Sequence, residues 1–588
     1  TLEELDAKVT WEDQPVLDSL ELRRQYDEAN PAPVSVEEAL KMRNNSPEDN
    51  QKIVLTLGRM PANDNQVDWD NVLTRRLTQD INRTNPIFMS SSAEFDISGF
   101  LSFGLFGFDW NMNPFASSDS VKQWQTSADR MYDKIVMRDD LTWSDGQPIT
   151  AHDVVFSFQA ILRPGVDPPA VKQGTDKIRW IEAYDDQTLV FFHKEPLATN
   201  VWNINFPIVP QHIYADLLEK DPKMKDSEKG RKYEQKPVTG GAYEFVSRTP
   251  GQEIVLRRRD SYYMHNGKQV RDKPYFREVR FRVMEDNNTA LLSLVTGELD
   301  ETLLGAAQWV EQTNSDEFYR RNTKASGLEW TYFYFGWNMM DPLFSDVRVR
   351  KAMGYAFDHD EMLRRLNYGL YEPCTGIYHP EAWMAPKDPP RRLRQDFDRA
   401  LDLLQQAGWQ DSDGDGVLDN TIDGKKVKFE FDLLVSDKPD RIAICNLLRE
   451  NLDRINIKCN VRTLEAATLL QRTHEKKFQA YFAGWGAGAD PDTSENLWKT
   501  GEARNYTGFS SPEVDQLFVE GRKEFDREKR AAIYGRIAEL VYEEQPYTWL
   551  FHQSSFYGFN KKLRGYMFSP RGPYHYGPGI SSIWAAKP

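Results

Sequence analysis

The sequence predicts an α/β protein built as two lobes. Three observations carry that expectation. The 588 residues, 40% of them hydrophobic and 12% aromatic, suffice for roughly two to four domains with large cores. Val427 to Leu434, Arg441 to Leu452 and Ile457 to Leu464 read as strand, helix and strand, which implies a parallel pair with a crossover helix. Strands and helices elsewhere alternate in patches rather than in one array, as expected where a chain crosses between lobes more than once.

In chain order, residues 1–50 are polar and helix-prone, broken by Pro31 and Pro33, with a capping box at Ser35 and Glu38. They read as an extension that wraps the main body. Ile53 to Leu57 and Met137 to Trp143 read as strands. After the turn at Ser144-Asp145-Gly146, Thr150 with Asp153 caps a helix carrying Val154, Val155, Phe156 and Phe158. Thr188 to His193 is a strand. Gly240-Gly241 leads into a strand to Val246, and Gly251 turns it into a hairpin partner at Glu253 to Arg258. Val279 to Met284 alternates as a strand. Asn287 to Thr296 is a helix ended by Gly297. Trp330 to Trp337 is an aromatic strand, followed by helices at Val347 to Phe357, Glu361 to Leu366 and Phe397 to Ala407. Phe478 to Trp485 is a strand, Val514 to Glu524 and Arg527 to Glu544 are helices, and Trp549 to Tyr557 is a late strand.

Composition excludes several functions. With 74 basic and 90 acidic residues the net charge is −16, which leaves no basic surplus for neutralising the phosphates of nucleic acid. No apolar run of about 18 residues occurs, so no membrane span is expected. Thr1 is not an initiator Met, so the chain is expected to have been trimmed. There is no P-loop, GxGxxG, HExxH or GxSxG, and no acid/base pair stands out among the carboxylates, so the protein is not expected to be an enzyme. Cys374, Cys445 and Cys459 form no metal-binding spacing; Cys445 and Cys459 fall on adjacent elements, where a bridge is sterically feasible and three buried thiols are the alternative.

One motif has metal character. Asp411, Asp413, Asp415 and Asp419 place oxygens at positions 1, 3, 5 and 9 of a calcium loop, with Gly416 at position 6 and the Val417 carbonyl at position 7. Ile422 stands where the bidentate Glu belongs, and the alternative is an Asp/Gly-rich turn. Calcium here would be structural, and no cofactor is required. The 16 Trp, 25 Tyr and 32 Phe supply broad walls for a peptide or a sugar face.

Four stretches carry a family resemblance. LTWSDGQPITAHDVVFSF from Leu141 to Phe158 has a strand, a DG turn and a capped helix. PVTGGAYEF from Pro237 to Phe245 is followed by PGQEIVL from Pro250 and by Tyr262-Tyr263. DPLFSDVRVRKA runs from Asp341 to Ala352. FQAYFAGWGA runs from Phe478 to Ala487, with Asp490-Pro491 after it. Together they resemble family 5 extracellular solute-binding proteins, the oligopeptide- and dipeptide-binding components of ABC importers.

The resemblance implies a two-lobed periplasmic-binding-protein-like clamp of the class II type, with an additional inserted domain. Residues 51–95, 208–330 and 545–588 would form domain I, 96–207 the inserted domain II, and 331–544 domain III as the second lobe, after an extension at 1–50. It implies a monomer, peripheral to the membrane and outside the cytoplasm, free in the periplasm or tethered by a lipid, that closes on a peptide-like ligand and docks on an ABC transporter permease. Gly484, Trp485 and Gly486 match the pocket strand, and Phe551 and His552 the late strand facing the ligand. Peptide binders of the family carry an Asp three residues after the Trp to hold the ligand's α-ammonium. Here that position is Gly488, and Asp490 is the candidate substitute. The alternatives are the same scaffold tuned to an oligosaccharide or other polar ligand and, more distantly, a hydrolase.

Overall fold

The computed structural model describes all 588 residues. The chain forms two compact units, Thr1–Gly327 with Ser555–Pro588, and Leu328–Ser554.

Two larger sheets organise unit 1, beside one three-stranded and two two-stranded ones. The first is antiparallel, with strands in the order Trp11–Asp13, Val121–Ser127, Tyr132–Met137, Thr188–His193 and Ile178–Ala183. The helix Ala151–Leu162 belongs to its core, burying Val154, Phe156, Phe158 and Ile161. That helix starts where the sequence places it, because the Asp153 carboxylate accepts the Thr150 N–H at 2.9 Å in a capping box. The second sheet orders Tyr243–Thr249, Glu253–Arg258, Glu278–Val283, Val72–Leu77 and Glu301–Leu304, followed by residues 556–559 of the late strand. Arg259 ties the two sub-cores by donating to the carbonyls of Thr239, Gly241 and Thr142.

Two element expectations change. Ile53 to Leu57 is not a strand but the end of the helix Pro47–Leu57. Ser46 caps it, Pro47 fills its first position, and Ile53, Thr56 and Leu57 are buried at helical spacing. The strand expected at Met137 to Trp143 is displaced toward the N-terminus, to Tyr132–Met137, and a turn bridged at Thr142↔Pro148 comes after it.

The extension is an integral part of unit 1. Trp11–Asp13 adds an edge strand. Arg23 is buried in an ion pair with Asp27 at 3.1 Å and donates to the Gly58 carbonyl, while Asp27 accepts the Met60 N–H at 2.8 Å. Asn44 donates to the Lys324 carbonyl at 3.0 Å, and the Asn50 amide brackets Ser326 with two hydrogen bonds of 2.8 Å.

In unit 2 the sheet is built on residues 331–337, Ala480–Gly486, Glu430–Ser436 and Lys458–Leu464. The last two are parallel, joined by the helix Pro439–Asp453 as the sequence predicts. Residues 545–554, assigned from the resemblance to the first lobe, fall in unit 2. Tyr547, Trp549 and Leu550 belong to its cores, and Phe551 and His552 pair with Glu372–Pro373. Cys445 and Cys459 do not pair; all three cysteines are buried thiols, with burial pushing Cys374 and Cys459 up to about 12. No helix is long and apolar enough to cross a membrane.

Candidate functional site

The candidate site lies in unit 2, on the strand Ala480–Gly486 and the turn after it. One side of this strand is fully paired, from Thr331↔Gly486 to Trp337↔Ala480. On the other side the strand Glu430–Ser436 meets it only at Leu433↔Ala480 and Leu434↔Tyr481. From Ala483 to Gly486 that edge has no strand neighbour. Backbone donors and acceptors along such an edge are a template for another extended chain.

The two glycines have different reasons. A Cβ on Gly484 would stand 2.9 Å from the Phe333 ring and 3.0 Å from the Tyr332 carbonyl, so glycine lets that ring close on the strand. At Gly486 the nearest atom would be 3.8 Å away, and the residue is exposed. Packing does not require glycine there; its effect is to leave backbone uncovered. Between them Trp485 is half-buried, its indole N–H donating to the Tyr547 hydroxyl at 3.2 Å.

Asp490 does not offer a free carboxylate. It is 4% exposed and accepts both arms of the Arg530 guanidinium, at 2.5 and 2.8 Å. Arg530 also donates to the Gly521 carbonyl at 2.8 Å, and its proton is held well above the usual guanidinium range against the burial that opposes it. Neighbouring acids are equally engaged. Asp492 pairs with Arg522 at 3.2 Å and accepts the Tyr534 hydroxyl at 2.9 Å, and Glu495 pairs with Arg522 and Lys499. The substitution at Gly488 has a steric cause: a Cβ there would stand 2.1 Å from the Thr493 hydroxyl oxygen. The turn that opens at Asp490 and Pro491 holds Thr493 there, its hydroxyl donating to the Asp490 carbonyl at 2.7 Å.

Phe551 and His552 are not open to a ligand. Phe551 is 4% exposed, stacked between Phe333 and Tyr371 with centroids 5.0 Å away on each side. His552 is 1% exposed and packs edge-on against His379 at 4.8 Å. Burial pushes His552 down to about 3, so it stays neutral. The strand is covered on both faces, which removes the alternation that would mark a ligand-facing side.

In the Asp/Gly-rich loop, Asp411, Asp413 and Asp419 each bring a carboxylate oxygen within 4.8 Å of the others. Asp415 is not among them; its carboxylate pairs with Lys428. Lys426 reaches Asp413 at 2.7 Å and Asp419 at 3.3 Å. Asp411 accepts the N–H groups of Gly414, Asp415 and Gly416, and Asp419 accepts both the N–H and the hydroxyl of Ser412. The loop thus neutralises and hydrogen-bonds itself, and a cation would have to displace lysines.

Sequence reasoning missed Arg530 and Arg522. They lie 40 and 30 residues from their partners, on helices whose charged faces look like any solvated face.

Residues 117–507 match the family described as bacterial extracellular solute-binding proteins, family 5 Middle. The oligopeptide-binding protein AppA of Bacillus subtilis (strain 168) is 26% identical over 513 residues, covering 86% of this chain and 89% of its own. The periplasmic oligopeptide-binding protein OppA of Salmonella typhimurium is 25% identical over 502 residues, covering 80% and 84%. The structure of Bacillus subtilis AppA in complex with a nonapeptide superposes with a TM-score of 0.73 at 24% identity, over 89% of this chain and 100% of that one. NikZ from Campylobacter jejuni in complex with Ni(L-His) gives 0.71 at 21% identity, over 87% and 99%. These likenesses establish a shared fold.

Proposed function

The chain belongs to the family 5 bacterial extracellular solute-binding proteins, and from that premise we propose that it captures an oligopeptide outside the cytoplasm and hands it to the permease of an ABC importer. The observation that carries the peptide reading is the unpaired edge at Ala483–Gly486, where an extended ligand adds as a strand and the exposed Gly486 backbone accepts it without a side chain in the way. The names of the relatives point the same way: AppA was seen with a nonapeptide, and the Helicobacter pylori protein DppA with the peptide STSA.

The anchor for the ligand's amino terminus differs in this reading. With Asp490, Asp492 and Glu495 all engaged by arginine or lysine, unit 2 offers no spare carboxylate beside Gly488, and a buried ammonium without a counter-charge is costly. The ligand is therefore recognised through its backbone rather than its terminal charge. Isothermal titration of a nonapeptide and its N-acetylated form tests this. Affinities within about threefold of each other are expected. Loss of binding on acetylation would restore a terminal-charge anchor, and saturable binding of an oligosaccharide with no peptide binding would overturn the peptide class. The protein acts as a monomer in this reading, either free or lipid-tethered. Native mass spectrometry reads the first, and partitioning of the cell-expressed protein into detergent reads the second.

A further inference from the structure

Unit 1 contains a concavity of about 230 Å³ that opens beside a smaller one of about 60 Å³, and the two share Ser19, Gly99, Asp119, Ala242, Tyr262 and Ser581 in their walls. Asp119 stands exposed at this shared wall. Its carboxylate makes one side-chain contact, accepting the Tyr262 hydroxyl at 3.2 Å, and it has no ion-pair partner. The nearby Arg271 acts on it through charge but makes no hydrogen bond to its carboxylate. Arg271 donates to the Asp119 carbonyl at 2.7 Å, to the Tyr262 carbonyl at 2.9 Å, and to the Asp140 carboxylate. Three of its five donors go to these protein acceptors, while the exposed Asp119 carboxylate keeps acceptor capacity facing open space. Desolvation and the neighbouring Asp18 hold the Asp119 carboxyl above the usual carboxylate range, with Arg271 and the Tyr262 hydroxyl acting in the other direction.

Gly99 is a second, independent sign. It sits inside the helix Ser92–Leu101, where glycine costs about 1 kcal/mol relative to alanine. A Cβ there would meet nothing within 4 Å. Packing gives no reason for glycine, and what its bareness preserves is the space in front of Asp119. The rest of the larger concavity is mixed: Phe103, Phe106 and Phe115 supply aromatic wall, and Ser102, Thr142 and the Asp140–Arg271 pair supply polar wall.

We propose that these two adjoining concavities are a second ligand site, for a small primary amine of roughly ten non-hydrogen atoms by the ~30 Å³ share of one water, held at the Asp119 carboxylate and the Tyr262 hydroxyl with its apolar body against Phe103, Phe106 and Phe115. Every residue of the site lies in unit 1, apart from the strand edge in unit 2 that carries the peptide reading.

The test is isothermal titration of the full chain with tyramine, and with 4-ethylphenol as the same skeleton lacking the ammonium. One saturable site for tyramine and none for 4-ethylphenol at equal concentration is expected. Asp119→Asn, which keeps the shape and removes the charge, weakens tyramine ten- to a hundredfold, the range of a lost charge-assisted hydrogen bond. Gly99→Leu fills the mouth and weakens it equally. Gly99→Ala, placed in open space, keeps the melting temperature at or above that of the natural chain and so shows that the helix tolerates a side chain. Absence of saturation, equal binding of 4-ethylphenol, or less than a tenfold change in Asp119→Asn with the fold intact would overturn the proposal.

Discussion

Replacing Asp490 by Asn decides whether this acid braces unit 2 or waits for a ligand. In the structure it completes a buried bidentate pair with Arg530 at 2.5 and 2.8 Å, and both side chains are less than a tenth exposed. Asparagine removes the counter-charge and one of the two acceptors, leaving the guanidinium an amide oxygen, the Gly521 carbonyl and the faces of Tyr534 and Trp383 at 5.3 and 5.8 Å. Breaking such a pair costs about 3–5 kcal/mol, whereas replacing both ions by apolar groups is often neutral or stabilising by about 1–4 kcal/mol. Asp490→Asn is therefore expected to lower the melting temperature of unit 2 by roughly 6–20 °C, at about 2–4 °C per kcal/mol for a unit of this size. The double variant Asp490→Leu/Arg530→Met is expected to recover most of that loss. Urea melts on Asp490→Leu, Arg530→Met and their double give the coupling energy, expected to exceed about 2 kcal/mol. A melting temperature unchanged within 1 °C in Asp490→Asn, together with lost peptide binding, would refute the reasoning and make Asp490 a ligand group.

Other consequences rest on the same physics. His359 and His552 are buried and held down to about 4 and about 3. Below the ordinary histidine value of about 6.5 the unfolded chain therefore takes up protons that the folded one refuses, and stability falls as pH drops from about 6.5 toward 4. The loss is about 2 kcal/mol for each by pH 5, read as a fall in urea midpoint between pH 7.5 and 5, and His359→Gln removes about half of it; an unchanged slope in that variant contradicts the assignment. Gly488→Ala is expected to cost about 1–3 kcal/mol, because the new methyl meets the Thr493 hydroxyl, and Thr493→Ala in the same chain relieves it; equal melting of the single and double variants would count against the clash. Adding calcium or EDTA is expected to move the melting temperature by less than about 2 °C, since Lys426 and Lys428 already neutralise Asp413, Asp419 and Asp415. A calcium-dependent rise beyond that in a melting scan would show the ion displacing both lysines. Gly486→Val, which covers the open edge, weakens nonapeptide binding at least tenfold in titration while leaving the melting temperature within about 2 °C, and unchanged affinity would remove the edge from the peptide reading.

The parts of this molecule that sequence made legible are those written locally. The Thr150 and Asp153 capping box, the left-handed Gly297 after the helix Asn287–Thr296 and the parallel pair around Pro439–Asp453 all stand where short-range signals put them. Ile53 to Leu57 misled because five apolar or β-branched residues in a row carry no period, and the helix start that governs them lies back at Ser46 and Pro47. The candidate site was half legible. Gly484 to Gly486 could be placed on a strand, but the reach of the neighbouring strand, which decides where the edge is open, is a tertiary fact. Asp490 looked like a free acid because its partner lies 40 residues on, and Phe551 looked ligand-facing because an aromatic strand residue reads the same against a core as against a guest.

The contacts of the extension set an order of events. Arg24 pairs with Asp272, Arg43 with Asp316, and Asn44 and Asn50 clasp the backbone at Lys324 and Ser326. Each closes a loop of more than 240 residues, the kind of contact that forms slowly and late. A chain that emerges amino end first can dock Arg23 and Asp27 on Gly58 and Met60, and pair Trp11–Asp13 with Val121–Ser127, while the rest is still to come. Arg43, Asn44 and Asn50 have to wait until more than half of the polypeptide has emerged, and until then they remain within reach of chaperones and proteases.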